Sequence, residues 1–357
     1  MIIIKIEYIF AIFALIGALD KLTGDHFKLG KEFEKGIMTI GPLVISMAGM
    51  IVLAPVIAKT ITFLLSDIIS ALGMDMSVMS TFLPSDSGGA VTAYALSDNV
   101  ALRGYNGIIV ASMFGATICP VIPMALQMID KKYHEDVLNG FLCGLATIPI
   151  GCVVAGFMLK IPFLQILLNT APSFILSLII CVLLVKKPNF VRKALELVGN
   201  LLFAVMTIGL AVGIFQKLTG YALIPNIAPL DESFLVIGNI AIILAGVFPM
   251  LAILSEIFGK LFSKAGKLMH INDTSVLGII TTLANVIPVF ALIENMDKKG
   301  RIFNMAFAVS AGFVLGDHLA FALSFDSAFA LPMVLGKLIS GITAILLAQL
   351  LFKKQTQ

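Results

Sequence analysis

Long apolar runs separated by short charged connections fill this chain. Nine of them, at about 2–20, 37–58, 106–129, 136–158, 163–185, 197–216, 233–257, 303–325 and 329–351, are long enough to cross a bilayer core of roughly 30 Å as helices. Two further apolar segments, about 76–97 and 274–296, are interrupted near their middles. Pro84, Ser85, Asp86, Ser87, Gly88 and Gly89 break the first, and Ala284, Asn285, Val286, Ile287 and Pro288 break the second. Proline and paired glycines disrupt helical hydrogen bonding, and freed backbone at membrane depth persists only where protein or water satisfies it. The pattern predicts nine crossings and two re-entrant broken-helix hairpins.

Composition narrows the class. With 59% of 357 residues apolar and 13% charged, and a mean hydropathy of +1.05, the chain is expected to be an all-α polytopic membrane protein and not a soluble enzyme. A net charge of +3 gives no basis for binding nucleic acid. Cys119, Cys143, Cys152 and Cys181 lie inside apolar runs without metal-ligand spacing and read as packing residues, so no metal or cofactor is expected. The first run has no small-residue cleavage site and reads as a first membrane helix.

The position of positive charge sets a topology. If both interrupted segments return to the side they left, one face collects eighteen of the 24 Lys and Arg. These are Lys21, Lys28, Lys31, Lys35, Lys131, Lys132, Lys186, Lys187, Arg192, Lys193 and the clusters at 260–267, 298–301 and 353–354. Lys5, Lys59, Arg103, Lys160 and Lys217 fall on the other face. Basic residues favour the cytoplasmic side, which predicts an N-terminus outside and a C-terminus inside. The carboxylates of 20–36, mixed with lysines, read as a solvated loop.

An internal duplication accompanies this pattern at an offset of 196 to 198 residues. Leu22, Thr23 and Gly24 recur as Leu218, Thr219 and Gly220, and the two interrupted segments align. The division is then repeat 1 at 1–162, a linking helix and loop at 163–196, and repeat 2 at 197–357. Each repeat has four crossings and one hairpin, and five crossings precede the second, so the repeats are inverted. Inverted repeats with broken helices near the midplane are a transporter architecture.

Ionisable groups at membrane depth are costly and mark function unless paired. Asp86 is expected at the first hairpin tip, followed by Ser87, Gly88 and Gly89, where backbone can approach a ligand; a helix-capping role competes with cation binding. Asp317 and His318 lie inside the run 303–325, and Lys337 lies at a similar depth in the next, so Asp317 and Lys337 form a candidate ion pair. His318 is a candidate proton relay or hydroxyl partner. Asn285, with Thr281 and Thr282, occupies the second hairpin and suits a small polar solute, or else satisfies the backbone freed at Pro288. Tyr94, Phe290 and Phe321 are rings available to a cation.

The chain resembles the ethanolamine permease family of bacterial ethanolamine-utilisation operons. The resemblance covers nearly the whole length and is most specific in AFAVSAGFVLGDHLAFA at 306–322, LGKLISGITAI at 335–345 and ATIPIGC at 146–152, with shorter matches at Asp86, Gly88 and Gly89 and in TLANVIP at 282–288. It implies uptake of ethanolamine across the bacterial cytoplasmic membrane, with the lipid bilayer as surroundings, and leaves a homo-oligomer open. Asp86 would hold the ammonium, with Asn285 and His318 toward the hydroxyl. Three other readings compete with it, one of them a non-transporting sensor or scaffold, which would bind ethanolamine without flux. A sodium-coupled carboxylate carrier would need cations around its substrate, and only Lys337 is available. An intramembrane aspartyl protease would need a Gly-x-Gly-Asp motif, and Val314 stands where its first glycine is required.

Overall fold

The computed structural model describes residues 6–352; Lys5, Lys353 and Lys354 lie outside the described residues. Within them the chain is helical throughout and has no strand. Helix α1 spans Ile6–Leu22, α2 Leu29–Ala71, α3 Ala90–Leu96, α4 Val100–Met128 and α5 Lys131–Met158. Then follow α6 at Phe163–Lys186, α7 at Pro188–Thr219, α8 at Leu230–Met269, α9 at Asp273–Ala284 and α10 at Ile287–Leu292. The last three are α11 at Lys298–Ala311, α12 at Asp317–Asp326 and α13 at Ala330–Leu351. Seven helices among the described residues are long and apolar enough to cross a membrane, the last running Asp317–Leu351 through the turn Ser327–Phe329.

Two expectations are corrected here. The stretch 20–36 is not a solvated loop: Asp20 is buried, and its carboxylate accepts from the backbone N–H groups of Phe27 (3.1 Å), Leu29 (2.8 Å) and Gly30 (3.2 Å). It thereby satisfies donors at the start of a helix, and α2 begins there, well before residue 37. That helix also continues past residue 58 to Ala71; at 43 residues it is about 65 Å long, twice a bilayer core. A π-helical turn at Val44–Ala48 interrupts it, as π-turns in α4 at Tyr105–Gly115 and Thr117–Val121 interrupt that span.

The second correction concerns the run 303–325, which is not one continuous helix. It stops at Ala311 and restarts at Asp317. The intervening backbone lies along the end of α9, with Phe313 N–H donating to the Thr282 carbonyl at 3.0 Å and Leu315 N–H to that of Leu283 at 2.8 Å. These inter-segment bonds replace the helical ones that residues 312–316 give up.

Packing separates an inner group from a surrounding frame. Helices α4, α5, α11 and α13 pack on one another, and α4 also packs on the segment 76–97; nearly all of α4 is buried. In the frame, α1 packs on α8 and α7 on α2. Each frame contact closes at a glycine: a β-carbon on Gly246 would stand 2.1 Å from the Phe10 carbonyl oxygen, and one on Gly49 1.8 Å from that of Met206. Helix α7 is largely exposed along its apolar length, as a lipid-facing helix is.

Candidate functional site

Each interrupted segment starts and finishes at the same place. At the first, Ser97 Oγ donates to Asp75 Oδ2 at 2.8 Å, and Asp75 also accepts from the Ser77 N–H at 2.9 Å and from the Ser77 hydroxyl. At the second, Asp297 Oδ1 accepts from Asn272 N–H and from Ser275 Oγ, both at 2.8 Å. A buried amide from the following helix braces each foot. Asn106 Nδ2 donates to Ser77 Oγ at 2.9 Å, and Asn304 Nδ2 to the Ser275 carbonyl at 2.8 Å. Neither asparagine was singled out from sequence; two amides 198 residues apart inside apolar runs were the available signal.

The length of α4 separates the two feet: Asn99, just before it, stands at the first, and Tyr133, just past its end, at the second. A cavity of about 390 Å³ at the first is lined by Gly73, Asp75, Asn99 and Lys160. At the second, Asp136 accepts from Arg301 Nε at 2.7 Å with Lys298 at 4.0 Å, and Tyr133 Oη reaches the Glu294 carbonyl at 3.4 Å.

Between the ends the tips differ. The first turns through Leu83 and Pro84 into the π-turn Ser85–Gly89 and then α3. Gly88 has φ of +123°, and a β-carbon there would stand 2.6 Å from Met50 Cε, so the turn requires glycine. Asp86 and Ser87 are half-buried at this turn, and Ser87 Oγ donates to Asp86 Oδ1 at 3.3 Å. The second tip is the break between α9 and α10. Asn285 Oδ1 accepts from Ile287 N–H at 2.8 Å, while Thr281 and Thr282 bond carbonyls of their own helix at Leu277 and Gly278. Asn285 therefore takes up backbone freed beside Pro288, and its amide nitrogen has no protein partner among the described residues.

Helix α12 joins the tips. The loop before it is bonded to the end of α9, and α12 itself packs on the π-turn Ser85–Gly89. Asp317 is its first residue, where the helix dipole favours negative charge. Asp317 lies within electrostatic range of Asp86 and Lys35, and Asp86 within range of Lys337. His318 is buried, its Nδ1 has no hydrogen-bond partner, and its ring lies 5.3 Å from that of Phe313. Asp86, Ser87, Gly88, Asp317, His318 and Lys337 thus form one neighbourhood, with Asn285 beside the loop that leads into it.

The candidate ion pair of Asp317 with Lys337 is not formed. Lys337 Nζ donates to the Ser112 carbonyl at 2.6 Å, and no ion pair within 4.0 Å joins the two among the described residues. The break before α12 moves Asp317 onto the hairpin tips, whereas α13 carries Lys337 against the π-helical part of α4. The candidate rings are also committed. Arg103 covers the face of Tyr94 at 4.3 Å, Tyr94 Oη donates to Asp326 at 2.7 Å, Phe321 stacks on Phe325 and Phe290 is buried.

Two cavities reach the tips. One of about 480 Å³ runs from Pro84 and Ser87 past Cys119 to Gln127, Glu196 and Asn200. The other, about 590 Å³, is lined by Glu32, Lys35, Thr281, Asn285 and Leu315. The first of these cavities touches Ser87, next to Asp86, and the second touches Asn285; neither carboxylate itself lines them.

The family model described as "Ethanolamine utilisation protein, EutH" matches residues 2–351. The chain belongs to the EutH family. A relative from Listeria monocytogenes named "Probable ethanolamine permease EutH" is 40% identical over 341 residues, covering 95% of this chain and 91% of the relative. Relatives of the same name from Salmonella typhimurium and Escherichia coli are each 35% identical, covering 98% of this chain and 95% of their own length. No solved structure matches the chain. EutH membership spans both hairpins, the broken α11–α12 pair and Lys337 alike.

Proposed function

We propose that this chain is an ethanolamine permease of the cytoplasmic membrane, carrying the protonated amine by alternating access or facilitated diffusion. The observation that carries the reading is membership of the EutH family over nearly the full length, among relatives that bear the permease name. The chemistry agrees with it. Asp86 and Asp317 supply carboxylates for an ammonium, and the free amide nitrogen of Asn285 supplies a donor for the hydroxyl oxygen.

Segments 76–97 and 274–296 are proposed as re-entrant hairpins. Support comes from the bonds between their starts and ends, Ser97 to Asp75 and Asn272 to Asp297. The inverted repeat, dividing the chain at 1–162, 163–196 and 197–357, is supported by reciprocal packing. Gly49 against Met206 and Gly246 against Phe10 pair the first helix of each half with the second helix of the other. The proposed orientation, N-terminus outside and C-terminus inside, rests on charge. Under it the two cavities at Ser87 and Asn285 run toward the cytoplasm, the bond of Tyr94 to Asp326 ties α3 to the outer end of α12, and a further cavity of about 400 Å³ lies along α12 from Leu315 to Ser327 and Glu7 on the outer side.

A carrier of anionic solutes has less support, because the lysine at depth is already bonded to Ser112. An intramembrane protease is disfavoured by the permease relatives and by Val314. Uptake of radiolabelled ethanolamine into proteoliposomes tests the function: wild type accumulates label and correctly inserted Asp86→Asn does not, and equal rates would remove Asp86 from the site. In a background without the four native cysteines, Met74→Cys and Val100→Cys are expected to label from the same face. Labelling from opposite faces would end the hairpin reading.

A further inference from the structure

We propose that Lys337 is the resident cation of the transport site, answering one of its two carboxylates so that the site accepts one monovalent cation and refuses dications. The proposal rests on the permease reading and on Asp86 and Asp317 being its cation-binding groups. Lys337 is 1% exposed, and among the described residues its one direct partner is a neutral carbonyl, Ser112, at 2.6 Å. An ammonium buried in this way is costly and is retained where other charge compensates it. That charge is nearby. Ser112 lies in the π-helical stretch Tyr105–Gly115, which packs directly on the turn carrying Asp86.

The count of charges around the site then decides its selectivity. Counted by formal charge, Asp86 and Asp317 bring two negatives and Lys337 one positive. His318 adds none, because an imidazolium would bury an N–H at the unpartnered Nδ1. From α2, Lys35 faces Asp317 but is exposed and ion-paired to Glu32 at 3.3 Å, so that pair is self-balanced. Around Lys337 the remaining groups are the Cys152 thiol and the Tyr105 hydroxyl, which is bonded to Thr170 at 2.6 Å. One negative charge is left over. A protonated monoamine balances it, whereas a doubly protonated diamine leaves an unmatched positive charge in a poorly solvated site. Lys337 is a positioning and selectivity residue in this scheme and need not touch the solute.

Competition against radiolabelled ethanolamine uptake by the purified full-length protein in proteoliposomes tests this. In wild type, ethylammonium competes and 1,3-diaminopropane, doubly protonated at neutral pH, does not. Lys337→Gln is expected to shift the balance toward the diamine by about tenfold or more and to make labelled diamine a substrate, while Lys337→Arg keeps the exclusion. Two results overturn the proposal: wild type inhibited equally by diamine and monoamine, or Lys337→Gln that still excludes the diamine. If Lys337→Gln does not fold, Lys337→Met, of similar length and uncharged, is read in its place with the same expected gain of diamine competition. Wild type that carries no ethanolamine removes the permease reading and this proposal together. Ethanolamine uptake without diamine discrimination removes only the role of Lys337.

Discussion

The two interrupted segments have similar feet and unlike tips. Each foot ties an aspartate to a serine, Asp75 to Ser77 and Asp297 to Ser275, and a buried asparagine from the next helix braces that serine residue. The first tip then presents a carboxylate on a glycine-dependent turn, while the second presents an amide whose oxygen is spent on backbone. The shared part satisfies the polar groups where each segment's start and end meet. The part that differs is chemical: one tip carries a carboxylate and the other an amide.

The largest expected break in that comparison is at the charged tip. Asp86→Asn removes the counter-charge for an ammonium and is expected to cost roughly 2–5 kcal/mol of binding, at least a thirtyfold loss of uptake efficiency. Asp317→Asn, at the start of α12, is expected to lower uptake comparably, because it empties the same neighbourhood of its second carboxylate. Gly88→Ala comes next. At φ of +123° with Met50 against it, an added methyl is expected to lower stability by about 1–2 kcal/mol, read as a lower Tm in detergent, and to reduce uptake with it. Asn285→Ala is expected to have the smallest effect on uptake, raising KM by about fivefold, the equivalent of one hydrogen bond near 1 kcal/mol. If Asn285→Ala equals Asp86→Asn in effect, the tips are not chemically distinct and the comparison fails.

Much of this arrangement was legible because membrane burial amplifies simple signals. Pro84, Gly88 and Gly89, and likewise Pro288, mark breaks that a bilayer does not tolerate without compensation, and each break occurs where those residues stand. Asp86, Asp317 and Lys337 stood out because ionisable groups at depth are rare. The break at 312–316 did not stand out. Gly312 and Gly316 resemble ordinary packing glycines, and the bonds that unwind this stretch come from Thr282 and Leu283, about thirty residues earlier in the chain. The early start of α2 was hidden for a similar reason: Asp20 looks like one more loop carboxylate until its three backbone donors are assembled around it.

Sequence alone determined that the chain belongs in a bilayer and which few charges fall inside its apolar runs, because hydropathy and charge cost are properties of local segments. It also supplied the family motifs on which the permease reading stands. Only the tertiary structure decided which deep charges are neighbours. It separated Lys337 from Asp317 and drew Asp317 to Asp86, because the placement of α12 and α13 is set by bonds and close packing between segments distant in the chain. No local pattern encodes those partners.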